Sequence, residues 1–119
     1  MANQYIWLFF GFSGRVNRAA YIPAGLLLYL VRFYPVYRII AADGDENAAT
    51  FWGGVFLIVI GASLVSHLAL AAKRFHDMGR SGWFAAVFLA GDFLAYLFLC
   101  VAPGTAGPNR YGAQTNAPA

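Results

Sequence analysis

Charged residues are scarce in this sequence. They make up 11% of its 119 residues, against about 25% in an average soluble domain, while hydrophobic residues reach 61%. A chain of this length corresponds to one small domain, which cannot bury so much apolar surface in a water-soluble core. The shortage of charge therefore predicts that the protein lies in a lipid bilayer.

Cysteine and histidine are also few. Cys100 is the single cysteine, which excludes an internal disulfide and a cysteine-based zinc site, and we expect it to pack between helices. The pair His76-Asp77 is typical of some metal-dependent phosphohydrolases, but His67 is the only other histidine and such centres need more ligands. Phosphate-loop, dinucleotide-binding and nucleophile-elbow motifs are missing too. We therefore expect no enzyme activity, no metal and no cofactor.

Three apolar runs are long enough to cross a bilayer, which takes about 20 residues of helix. They cover residues 19–42, 51–72 and 83–102. None alternates like a strand, and only helices satisfy their own backbone in lipid one segment at a time. The predicted fold class is all-α: a single membrane domain over residues 1–119, forming a small polytopic bundle of three transmembrane helices.

The segments outside these runs have separate roles. Residues 5–12 are apolar but too short to span, and their Tyr5 and Trp7 suit the headgroup level, which predicts an interfacial N-terminal segment. Residues 103–119 form a polar C-terminal tail, rich in glycine and proline, with no core-forming pattern. Pro35 is expected to kink or end the first span, because it removes a backbone hydrogen bond.

Positive charge is unevenly distributed between the loops. Five basic residues lie before the first span and between the second and third: Arg15, Arg18, Lys73, Arg74 and Arg80. The loop at residues 43–50 has none, so the positive-inside rule predicts a cytoplasmic N-terminus. The tail would then face outwards. If the third run instead breaks at Gly91-Asp92 and returns as a re-entrant hairpin, the tail stays inside.

These five basic residues, with His76 and Asp77, form a predicted polar cluster at the cytoplasmic face. Asp77 is the only acidic residue there, so it is expected to accept hydrogen bonds from one of the four arginines. A basic residue near an anionic membrane gains about 1 kcal/mol, which makes the cluster a candidate site for anionic lipid headgroups; the alternative is a role in topology alone. The nearby aromatic residues fit an interfacial belt, so nucleic acid is not expected as a partner.

Apart from Arg38 near the end of the first run, the apolar runs contain two charged residues and one histidine: Arg32, Asp92 and His67. Arg32 and Asp92 fall at matched depth if the first and third helices are neighbours. Each charge alone costs about 2.5–3.5 kcal/mol at the centre of a membrane helix, and pairing offsets much of that cost. The alternatives are a protonated Asp92 or a water-filled pathway. His67 is expected to hydrogen-bond to a serine or a backbone carbonyl.

Three stretches of the chain resemble motifs of one family: GFSGRVNRAAY at residues 11–21, AAKRFHDMGRSGWF at 71–84 and PGTAGPNRYG at 103–112. They are similar, in the same order, to motifs of the small bacterial inner-membrane proteins catalogued as domain of unknown function 805. Ile22, Phe75 and Phe84 depart from the pattern, each replacing one large apolar group by another. The resemblance implies a multi-span protein of the bacterial inner membrane. It implies no established activity, catalytic residue or ligand.

Two kinds of function are compatible with these features. Small residues four positions apart, such as Gly82, Ala86 and Ala90, let helix backbones approach closely. With the small size and missing catalytic motifs, they favour an accessory or scaffold subunit that packs as a homo-oligomer or within a larger membrane complex. The alternative is a small transport or channel element built on Arg32, His67 and Asp92, because ionisable groups within membranes mark pathways.

Overall fold

The computed structural model describes residues 2–118. Its elements are α1 (Ala2–Phe10), α2 (Arg18–Ala41), α3 (Glu46–Asp77), a 3-10 helix (Gly82–Leu89) and α4 (Asp92–Val101). Within the described residues, the only β-type pairings are two isolated bridges, so the predicted all-α bundle is confirmed. Met1 and Ala119, the ends of the predicted domain, lie outside the described residues.

The helices α2 and α3 are each long and apolar enough to cross a membrane. They have 24 and 32 residues and pack against each other in antiparallel orientation across a short loop. Asn17 begins α2 by accepting a hydrogen bond from the backbone N–H of Ala20 at 3.0 Å. After α3, Gly79 has a φ of +77°, a left-handed conformation that favours glycine. α2 matches its predicted span to within one residue at each end, whereas α3 extends five residues beyond its predicted span at each end.

Pro35 lies inside α2 and does not end it. The helix therefore continues to Arg38, whose guanidinium donates to the Tyr34 hydroxyl at 3.1 Å and lies 4.5 Å from the centre of the Trp52 ring. Arginine, tyrosine and tryptophan together are typical of a membrane–water interface. This end of the bundle carries the α2–α3 loop.

The third apolar run is helical, as predicted, but it is not continuous. The 3-10 helix and α4 are separated at Ala90 and Gly91, and the two outer ends of the run lie at the same end of the bundle. At one end of the run, a Cβ on Gly82 would lie 3.1 Å from the Cβ of Ala72. At the other end, the Leu99 carbonyl accepts a hydrogen bond from Arg74 at 3.0 Å. The run is therefore the re-entrant hairpin that the sequence left open.

The position of the tail follows from this hairpin. Asn116 donates its backbone N–H to the carbonyl of Arg15 at 2.7 Å, so the tail lies at the end that carries the segment before α2. The expectation that the tail emerges at the opposite end is wrong. The physical reason is the turn at Gly91-Asp92, where the chain reverses before reaching the level of the α2–α3 loop.

The short helix α1 packs across the same end. Its last-turn carbonyls, those of Trp7 and Leu8, accept hydrogen bonds from the ammonium of Lys73. The Lys73 nitrogen also lies 4.5 Å from the centre of the Trp7 ring. A cation suits the carboxyl end of a helix, so Lys73 joins α1 to α3. We name this end of the bundle the motif end, because residues 11–21, 71–84 and 103–112 meet there.

The core lies in the half of the bundle that the hairpin covers. Leu70 and Leu99 are fully buried there, and Phe88 is nearly so. In the other half, α2 and α3 expose large apolar side chains; Ile58, for example, is 76% exposed. That distribution is expected of a chain whose exposed surface contacts lipid tails or another membrane helix rather than water.

Candidate functional site

Asp77 lies between two arginines at the motif end. Its Oδ1 accepts a hydrogen bond from Arg15 Nε at 3.0 Å, and its Oδ2 accepts one from Arg74 Nη1 at 2.9 Å. All three side chains are at least 95% buried. We call this trio the arginine–aspartate cluster. Two positive charges and one negative charge leave it with a net charge of +1.

Backbone carbonyls stabilise the excess positive charge. Their donors are Nη1 and Nη2 of Arg15 and Nε and Nη2 of Arg74, and the accepting carbonyls belong to Gly107, Gly112, Thr105, Leu99 and Ala102. A buried charge is stable only when it is fully hydrogen-bonded or paired. The tail is therefore wrapped around Arg15. Sequence reasoning missed this role, because it treated the tail as a segment without packing.

The tail also closes the carboxyl end of α3. The backbone N–H of Thr105 donates to the carbonyl of Asp77 at 2.6 Å, and Asn109 Nδ2 donates to the carbonyl of His76 at 2.8 Å. These carbonyls belong to the last turn of α3, where carbonyl groups have no hydrogen-bond partners within the helix itself. Gly104 approaches so closely that a Cβ there would overlap the Asp77 carboxylate. The resemblance of residues 103–112 to a family motif was the available signal.

The other residues of the predicted polar cluster separate into two groups. His76 is half-buried: its Nδ1 lies 2.9 Å from the Gly14 carbonyl, and its ring stacks on Tyr111 at 4.1 Å. Lys73 is fully buried against α1. Arg18 and Arg80 are exposed, and Arg18 donates to the Val101 carbonyl at 3.2 Å. Asp77 was expected to accept hydrogen bonds from one of four arginines. It accepts them from two, Arg15 and Arg74.

A second polar group lies at the turn of the hairpin. Arg32 Nη1 is 3.0 Å from Asp92 Oδ2, and Arg32 Nε donates to the Ser63 hydroxyl at 3.2 Å. The Tyr29 hydroxyl donates to the other carboxylate oxygen of Asp92. We call these four residues the central cluster. The structure thus brings together the two charges that the sequence places at matched depth.

His67 is fully buried next to the central cluster, but it does not have the expected partner. Neither ring nitrogen makes a hydrogen bond to any residue in the range 2–118. Aromatic rings occupy the surrounding space: the centres of Tyr29 and Phe88 lie 4.6 and 5.7 Å from that of His67. The expectation of a serine or carbonyl partner is therefore wrong. Sequence reasoning missed Tyr29, which contacts both Asp92 and Arg32, although a tyrosine inside an apolar run is itself a signal.

Metal ligation finds no support in this arrangement. Among residues 2–118, no group of three or more histidine, cysteine, aspartate or glutamate side chains is positioned to hold an ion. Cys100 is half-buried and packs against the core. The polar clusters are built from arginine, aspartate, hydroxyl groups and backbone carbonyls, which suit charge pairing and anion binding better than metal coordination.

The comparisons with known proteins cover both clusters. A family model described as "Protein of unknown function (DUF805)" matches residues 9–113. The inner membrane protein YhaI of Escherichia coli strain K12 is 35% identical over 107 residues, which cover 86% of this chain and 83% of that protein; YhaI of strain O157:H7 gives the same values. No solved structure matches the chain.

Proposed function

This chain belongs to the DUF805 family of proteins of unknown function, and from that premise we propose that it is a non-enzymatic subunit of the bacterial inner membrane. In this proposal it acts as an accessory or scaffold protein that assembles in the bilayer with further copies of itself. The alternative is that it assembles with other proteins in a larger membrane complex. The similarity to an inner membrane protein supports the location.

The observation that carries the proposal is the depth of the hairpin turn. Arg32, which contacts the turn through Asp92, is about 21 Å along α2 at 1.5 Å per residue, well inside a hydrocarbon core of about 30 Å. Non-helical backbone is tolerated at that depth only where protein covers it or water fills a cavity beside it. In one copy, Ala90 is exposed and α4 begins without a side-chain cap. A second copy that covers the turn would meet this requirement.

One face of α3 supports the same assembly. Gly54 and Gly61 are seven residues apart on that face, and a Cβ on either would meet no atom within 4 Å. The large side chains between them, including Leu57 and Ile58, are exposed. Small residues at such positions allow a neighbouring helix to approach closely.

The test is the mass of the purified protein. We expect size-exclusion chromatography with light scattering, in mild detergent, to give a multiple of the chain mass. Gly54→Leu with Gly61→Leu should lower that mass, because the added side chains meet nothing within one copy but obstruct a neighbour. Ala41→Leu, at the exposed end of α2, is the matched control. A monomeric wild-type particle with no co-purifying protein would contradict the proposal.

A transport or channel element is the second candidate. Its support is the polar groups near the hairpin turn: Arg32 Nη2 and both nitrogens of His67 lack partners among residues 2–118. Broken helices with polar groups near the middle of the membrane are typical of transporter binding sites. Flux through proteoliposomes is the test. Rates equal to those of empty vesicles, for protons and several other ions, would exclude this candidate.

The orientation in this proposal has the N-terminus and the tail in the cytoplasm. Six of the eight basic residues lie at the motif end once the tail is included: Arg15, Arg18, Lys73, Arg74, Arg80 and Arg110. Arg38 is the only basic residue near the opposite end. The positive-inside rule therefore supports a cytoplasmic motif end.

A further inference from the structure

A polar cavity of about 200 Å³ lies beside the arginine–aspartate cluster. Its walls are formed by the start of α2, the end of α3 and the tail. Arg18, Arg74, Thr105 and Thr115 line it, and so does Asp77, the one acidic residue among the lining residues. The cavity is distinct from the central cluster and from the face of α3 described above.

The surroundings of the cavity carry uncompensated positive charge. Arg15, Arg74 and Arg18 supply three positive charges and Asp77 supplies one negative charge, which leaves +2. Among the described residues, no second acidic side chain is near: Asp92 lies in the central cluster, and Asp43, Asp45 and Glu46 lie in or beside the α2–α3 loop. A small cavity with this excess attracts anions.

Hydrogen-bond donors complete the anion-binding character of the cavity. The Thr115 hydroxyl is buried and has no partner among residues 2–118. Arg18 is exposed and makes one hydrogen bond, to the Val101 carbonyl. It is also the first residue of α2, where backbone N–H groups and the helix dipole favour an anion. Guanidinium and hydroxyl groups beside a helix N-terminus are the usual partners of phosphate.

We propose that this cavity binds a phosphate mono- or diester, with Arg18 as the cation that contacts it. The start of a membrane-spanning helix is the level at which lipid headgroups lie, so an anionic phospholipid and a soluble phosphate are the two sources of this chemistry. Fewer basic residues can contact a headgroup than the sequence suggested. Lys73 binds the carbonyls of α1, and Arg15 is occupied by Asp77 and the tail, so neither contacts the anion.

The test compares arginines that differ in position but not in charge. Arg18 and Arg110 are both exposed at the motif end, but only Arg18 lines the cavity. Native mass spectrometry after delipidation, with added phosphatidylglycerol or phosphatidylcholine, measures lipid retention. We expect phosphatidylglycerol to bind to the wild type, roughly tenfold weaker binding in Arg18→Gln, and wild-type binding in Arg110→Gln.

A second variant and a competitor make the outcome decisive. Thr115→Val removes the unpartnered hydroxyl with little change in shape, and it should also weaken retention. Inorganic phosphate that displaces the lipid, or that binds with the same dependence on Arg18, would support the cavity and identify soluble phosphate as a source. Equal losses in Arg18→Gln and Arg110→Gln would indicate general surface attraction and overturn the proposal. Absence of binding by both phosphate sources would also overturn it.

Discussion

Arg32 and Asp92 are 60 positions apart in the chain, yet Arg32 Nη1 lies 3.0 Å from Asp92 Oδ2. This ion pair joins the middle of α2 to the first residue of α4. The Tyr29 hydroxyl binds the second carboxylate oxygen, so α2 holds Asp92 from two positions one turn apart. The pair therefore links the turn of the third apolar run to the middle of α2.

We expect the two charges to be energetically coupled. Arg32→Ala and Asp92→Ala should each lower the free energy of unfolding by about 3–5 kcal/mol, because each leaves a partly buried charge without its partner. The double variant should lose less than the sum. Unfolding in detergent gives the cycle, and Arg38→Ala, an exposed arginine of the same helix, is the control. Strictly additive losses would show that the pair contributes nothing.

A second prediction concerns the arginine–aspartate cluster. Asp77→Asn keeps the shape of the side chain but leaves Arg15 and Arg74 facing each other without a negative charge. We expect a loss of about 3–5 kcal/mol of stability and release of the tail. Limited proteolysis of the tail, combined with thermal unfolding, measures both effects. Asp43→Asn, in the exposed α2–α3 loop, should change neither, and a fully protected tail in Asp77→Asn would contradict the prediction.

Gly104 provides a steric test of the same packing. A Cβ there would overlap the Asp77 carboxylate, so Gly104→Ala should lower the melting temperature by several degrees. Gly53→Ala in α3 is the matched control, because its Cβ would meet no atom within 4 Å and alanine favours a helix. Equal melting temperatures for the two variants would show that the tail does not pack as described.

Site-directed labelling tests the topology. In a Cys100→Ala background, cysteines at Arg80 and Ala113 should react from one side of the membrane and a cysteine at Asp45 from the other. The reason is that the hairpin returns the tail to the motif end. Labelling of the Ala113 and Asp45 variants from the same side would rule out the re-entrant hairpin.

The features that the sequence leaves open are those that depend on contacts between residues far apart in the chain. The bounds of α2 follow from apolar length and from local signals such as the Asn17 cap, which depend on neighbouring residues alone, whereas α3 extends beyond its apolar run at both ends. The break at Gly91 was only one of two alternatives, because the choice depends on contacts of Asp92 with residues on α2. Local sequence contains no record of those contacts.

The polar sites illustrate the same limit. Charge counting pointed to Asp77 and its arginines, since it was the only acid on that face. The carbonyls that bind Arg15 come from the tail, about 90 residues away, and composition alone does not reveal carbonyl partners. His67 was misjudged for a related reason: the prediction assumed polar neighbours, whereas tertiary packing surrounds it with aromatic rings.

The most direct test of the account is cross-linking at the hairpin turn in native membranes. Ala90 is exposed in one copy, and the proposed assembly covers it with a second copy. Ala90→Cys in the Cys100→Ala background, treated with a short membrane-permeable bismaleimide, should give a covalent dimer, whereas Ala41→Cys should give much less. A product that remains monomeric, with a cysteine that reacts freely with a lipid-soluble maleimide, would contradict the account.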